Sequence, residues 1–292
     1  MMQVSSYLNA VLKHTAINAW GLFWLISIPV SVAIAAEMFA SDLSSGDGVS
    51  HMISYSVRFA VPLIFLVVAA SSLQVLFSGP LAMWWLRNRK YLGLCFAVAM
   101  AWQGLFIFIM SYAFRDYYYA DIYLLRDEIE GSVGYIFLAA MVLTSFRFGS
   151  KHLSQEQWRL LHKTGLYFLW AYPFSVYWWN SVHYYGTPAL IDYVFYWMGF
   201  AAFALRIAAW GKQRDNRASP ALKVFGSLAI AVGLLVSASG QYWQKAVSGF
   251  LSAPQWSADL ELWFPYWPFE PFLSLLIIGF GVLLLTKAKT RA

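Results

Sequence analysis

A chain of 292 residues that is 60% hydrophobic and only 12% charged falls outside the range of soluble domains, which are about half apolar and about a quarter charged. Its net charge of +6 comes from basic residues spread in short groups between apolar runs, a pattern that orients membrane helices and argues against a nucleic-acid partner. The single cysteine, Cys95, excludes an internal disulfide, and the absence of CxxC and CxxCH pairs excludes iron-sulfur and c-type haem sites.

Apolar runs long enough to cross a bilayer recur along the chain, and nothing alternates like a barrel strand. The sequence therefore predicts an all-α polytopic membrane helix bundle of about eight transmembrane helices. The first span, 16–36, follows Lys13 and His14 and ends in "VAIAAEM", which loosely resembles a signal-peptidase site. Its apolar run exceeds the roughly 7 to 15 residues of a signal peptide, so we expect it to stay in place as a span. The second, 55–79, carries Arg58 about one turn inside its outer end. Arg58 either snorkels to the headgroups or pairs with a buried anion such as a haem propionate.

The third span, 92–113, places Gln103 near mid-membrane, where an amide must find a partner on another helix. The fourth, 132–147, is short. The fifth, 163–180, is entered through "QWRLLHK", with His162 at its start. The sixth, 190–209, ends near Arg206, read as an interfacial anchor, and the seventh and eighth occupy 221–241 and 270–287.

With this count both termini lie on one side. That side collects 16 of the 20 basic residues, all but Arg58, Arg115, Arg126 and Lys245, so both termini are expected to be cytoplasmic. The opposite loops are acidic and aromatic: "RDYYYADIYLLRDEIEG", "WWNSVHYYGTPALIDY" and the long "QYWQKAVSGFLSAPQWSADLELWFPYWPFEPF". An interfacial Trp and Tyr belt against the lipid bilayer explains them more economically than a ligand platform does.

No acidic relay crosses the membrane, which weakens an ion-coupled transporter reading. Of the five histidines, His14, His51, His152 and His183 fall in tails or loops. His162 and His183 are 21 residues apart, about 31 Å along one helix, so the two cannot share a haem.

Two stretches carry a family likeness. Residues 56–104, with "RKYLGLCFAVAMAWQG", and residues 131–170, with Thr144-Ser145 ahead of a basic loop and Trp158-x-x-Leu161-His162, resemble the ferric reductase-like transmembrane domain. Within that family the likeness is nearest to the haem-binding membrane subunit of the bacterial periplasmic methionine sulfoxide reductase system. The resemblance implies a helical core over 55–210, with 1–54 as an N-terminal helix and acidic outer loop. Residues 211–292 then add two extra helices with an aromatic outer loop.

The resemblance also implies where haem ligands would sit. The family's third-helix histidine falls on Gln103, its first fifth-helix histidine on His162 and its second on Ser175. Amide and hydroxyl are poor ligands for haem iron, so a bis-histidine site is not expected from this chain. The expectation that results is a degenerate, haem-free structural or accessory subunit of the bacterial cytoplasmic (inner) membrane, partnered by another membrane or periplasmic protein. No enzymatic activity of its own and no resident cofactor or metal are expected of it, an oxidoreductase membrane subunit being the enzymatic alternative. One alternative is an electron-transfer protein that retains one haem b on His162, with Arg58 as propionate partner, or a quinone among its aromatic residues. A further alternative is a small-molecule transporter that uses the aromatic outer loops.

Overall fold

The structure is a computed structural model that describes residues 10–181, 187–215, 218–240, 242–243 and 270–287. Among these, eight long helices follow one another: α1 (Ala19–Ala40), α2 (Gly46–Leu76), α3 (Pro80–Ala113), α4 (Leu125–Thr144), α5 (Gln155–Trp179), α6 (Leu190–Lys212), α7 (Pro220–Ala238) and α8 (Glu270–Leu285). The described residues hold no β-strand; one isolated bridge joins Asp215 to Lys287.

Five helices, α1, α2, α3, α6 and α7, are long and apolar enough to cross a membrane, which marks a multi-pass membrane protein. The other three coincide with expected spans but are shorter in their apolar part. α4 opens on Arg126, Asp127, Glu128 and Glu130, and α5 on Glu156, Arg159 and Lys163, while α8 has only 16 residues.

Four helices begin earlier than their apolar windows do. α2 starts at Gly46 rather than 55, α3 at Pro80 rather than 92, α4 at Leu125 rather than 132, and α5 at Gln155 rather than 163. Hydropathy marks where a helix is apolar, whereas backbone hydrogen bonding continues until something stops it. For α3 the stop is Gly79-Pro80, with proline in the first turn, where its missing N–H costs nothing. Arg87, Arg89 and Lys90, expected in a loop, therefore ride on a helix of 34 residues, about 51 Å long. Likewise the acidic connection before α2 shrinks to residues 41–45. There Asp42 accepts from the Ser44 N–H at 3.0 Å and its hydroxyl at 2.6 Å, bonds that hold the exposed carboxyl below its usual range.

Prolines also lie inside helices, Pro29 in α1, Pro62 in α2 and Pro173 in α5. Membrane helices tolerate them because neighbouring groups satisfy the freed carbonyls.

The chain forms two compact units, residues 1–70 with 78–169 and residues 71–77 with 170–292. In the first, Ile34, Val49, Met52, Phe106 and Met110 form a fully buried cluster against which Tyr117 and Tyr118 pack. Those tyrosines come from the aromatic loop after α3. Tyr117 donates to Asp47 at 2.6 Å and Tyr118 to Glu128, so part of the expected belt closes one end of this unit. Near the start of α1, buried Asn88 accepts from the Ala19 N–H at 2.8 Å and donates to Asn18 at 3.1 Å.

In the second unit α7 and α8 meet through small residues. A Cβ on Gly233 would stand 2.8 Å from the Ser274 carbonyl, and one on Gly281 would stand 2.7 Å from the Gly226 carbonyl. Close backbone approach of this kind is how membrane helices gain dispersion contacts when lipid offers no hydrophobic penalty. Trp170 donates to the Gly199 carbonyl at 2.9 Å and stacks on Phe203 and Phe174.

Candidate functional site

The Trp-x-x-Leu-His motif sits in the first two turns of α5, so Trp158 and His162 are four residues apart and share a face. Their rings stack at 4.2 Å between centroids. Both reach Thr144, the last residue of α4: Trp158 Nε1 donates to its carbonyl at 3.0 Å, and His162 Nε2 lies 2.9 Å from its hydroxyl. The Thr144 hydroxyl also donates back to the Ala140 carbonyl at 2.6 Å. The motif therefore ties the C-terminal end of α4, through the carbonyl and hydroxyl of Thr144, to the entry of α5.

His162 lies just ahead of the apolar part of α5. Burial first, and the nearby positive charge of Arg89 second, hold its imidazole below the ordinary value of 6.5. One turn further on, Gly165 is buried at the α4 contact. A Cβ there would come within 2.6 Å of the Met141 sulfur and 3.1 Å of the Phe137 ring. The space between α4 and α5 is filled by side chains.

Gln103 has found the cross-helix partner that its depth requires. Tyr135 of α4 approaches its side-chain oxygen at 3.1 Å and the Met100 carbonyl at 3.2 Å. Gln103 and His162 thus both contact α4, through Tyr135 and Thr144 respectively. Ser175 is buried in the second unit, and Arg58 is exposed on α2.

The other described histidines serve local roles or lie at the surface. His14 accepts from the Ala16 N–H at 3.2 Å, His51 pairs with Glu37 at 2.8 Å, and His152 is exposed. His183 and the aromatic loop over 244–269 lie outside the described residues. Among the described residues no three His, Cys, Asp or Glu side chains gather as a metal site. Arg206, read as an anchor, directs a guanidinium nitrogen to the Ser71 hydroxyl at 3.3 Å.

Sequence reasoning placed His162 but missed its partner. Thr144 entered only as part of a family likeness, because nothing in the spacing shows that the last residue of α4 meets a side chain 18 positions on. No family model, curated protein or solved structure matches the chain.

Proposed function

We propose that this chain is a haem-free relative of the ferric reductase-like transmembrane domain, serving as a structural or accessory subunit in the bacterial cytoplasmic membrane. In this reading all eight helices span the bilayer, both termini are cytoplasmic, and the partner is another membrane or periplasmic protein. The proposal rests on the sequence likeness together with one observation. The two first-unit residues at the family's ligand positions, His162 and Gln103, are hydrogen-bonded to Thr144 and Tyr135.

That arrangement does not fit an axial haem ligand. For His162 to bind iron through Nε2 it must release Thr144. Gln103 offers an amide that is already paired. The positions read as cofactor sites act here as helix-to-helix ties, a role that preserves the bundle without its electron carrier.

The test is an absorption spectrum of the detergent-purified protein, oxidised and then dithionite-reduced, from cells supplied with haem precursor. The proposal expects no Soret band above a trace. A stoichiometric haem b signal that disappears in His162→Ala would overturn it and establish the one-haem electron-transfer reading.

A further inference from the structure

At one end of the second unit, the C-terminal turn of α6, the first turns of α7 and the last turn of α8 enclose a cleft of about 560 Å³. Three cations line it, Lys212, Arg214 and Lys223, together with the hydroxyl residues Ser227 and Thr286. Its remaining wall is apolar, formed by Val282 and Leu285. We infer that this cleft is a binding site for the phosphodiester headgroup of an anionic glycerophospholipid, whose acyl chains descend along α7 and α8.

The cations are held for that task to different degrees. Lys212 is fixed in place by donating to the Val75 and Leu76 carbonyls at 2.8 and 3.1 Å, at the C-terminus of α2. Arg214 spends only its Nε–H, on Thr286 at 2.8 Å, while its guanidinium lies 4.6 Å over the Trp210 ring. Stacking and one bond orient the group, and no described residue accepts from its Nη edge. That edge is the part of a guanidinium suited to bidentate contact with a phosphate. Lys223 is exposed, in the first turn of α7, where the helix dipole adds positive potential.

The charge around the cleft is one-sided. Among the described residues at this end, 207–215, 218–228 and 282–287, Asp215 is the only acidic residue, against Lys212, Arg214, Lys223 and Lys287. The backbone of Asp215 is paired with that of Lys287 at 2.9 and 2.8 Å, which pins the connection after α6 to the end of α8. An excess of positive charge of this kind is the feature that draws anionic headgroups.

A lipid is favoured over a soluble phosphate compound by what lies beside the cations. Val224, Phe225 and Leu228 of α7 and Leu283 of α8 are between 48% and 67% exposed, apolar surface that hydrocarbon chains would cover. The inference rests on the membrane reading of the chain and, for the leaflet involved, on the charge-based orientation; the haem-free reading is independent of it.

The experiment is native mass spectrometry of the full chain in detergent, titrated with phosphatidylglycerol, with phosphatidylcholine of matched chains, and with glycerol phosphate as a soluble competitor. We expect one retained phosphatidylglycerol, little retained phosphatidylcholine, and no displacement by millimolar glycerol phosphate. Lys223→Gln, at an exposed side chain, should weaken retention about fivefold, the effect of one interfacial basic residue, and Lys223→Arg should restore it. Arg214→Gln should weaken it further. The thermal midpoint of each variant without lipid separates loss of binding from loss of fold. Equal retention of both lipids, or Lys223→Gln and Arg214→Gln variants that fold and retain phosphatidylglycerol normally, would overturn the site. Full displacement by glycerol phosphate would overturn the lipid assignment. Recovery of the chain in the soluble fraction without detergent would instead remove the membrane reading beneath it.

Discussion

The hydrogen bond between His162 and Thr144 has a definite direction. Because the Thr144 hydroxyl gives its one proton to the Ala140 carbonyl at 2.6 Å, it can only accept from His162, whose Nε2 must carry the hydrogen. The tie between α4 and α5 therefore depends on a single tautomer of one imidazole.

Removing the hydroxyl while keeping the side-chain shape should loosen that tie. Thr144→Val is expected to lower stability by about 1 kcal/mol, the typical net value of one hydrogen bond. His162→Ala loses the bond and the stacking on Trp158, and should cost about 1 to 2 kcal/mol. Thermal midpoints of the two variants in one detergent check the order; a Thr144→Val protein as stable as the parent would show that the contact contributes nothing.

The same imidazole sets a pH dependence. Burial and Arg89 depress the folded-state pKa of His162 below 6.5, so folding favours the neutral ring. Stability from this group is fully present above 6.5 and is lost as pH falls through the depressed value. Partial exposure keeps the effect small. Histidine-labelled NMR should find His162 titrating below 6.5, and Arg89→Gln should move the midpoint upward; a midpoint at or above 6.5 would contradict the geometry.

Asn88 and Ala19 give two substitutions of opposite sign. Ala19 has φ 51°, a left-handed backbone that costs an L-residue about 1 to 2 kcal/mol. Its N–H is held by the buried Asn88 amide. Asn88→Ala should destabilise by about 1 to 3 kcal/mol by leaving that N–H unpaired, while Ala19→Gly should be neutral or stabilising by up to about 1 kcal/mol. Chemical denaturation of both variants in mixed micelles reads the two signs directly.

Packing of α7 on α8 makes a fourth prediction. In Gly233→Ala the new methyl would stand 2.8 Å from the Ser274 carbonyl and 2.6 Å from Ile278. Backbone cannot yield as a side-chain tip can, so the helices must separate, at a cost of about 1 to 3 kcal/mol. Faster limited proteolysis within residues 220–285 would reveal the loosening, whereas Leu234→Ala, at an exposed position, should leave the rate unchanged.

The sequence by itself determined that this is a helical membrane protein, because a backbone in hydrocarbon must satisfy its own polar groups and long apolar runs leave only helices. It also singled out His162 and Gln103 and the need of a mid-span amide for a partner. It could not place the helix starts at Gly46, Pro80 and Gln155, since hydropathy is silent once a helix leaves the apolar layer. Nor could it show what these residues touch. Tyr135 meets Gln103 from 32 positions away and Thr144 meets His162 from 18, while the cations that orientation counting treated as equivalent converge at one cleft. Those pairings depend on how helices rotate and pack, which side-chain shape and close backbone contact decide only after the chain has folded.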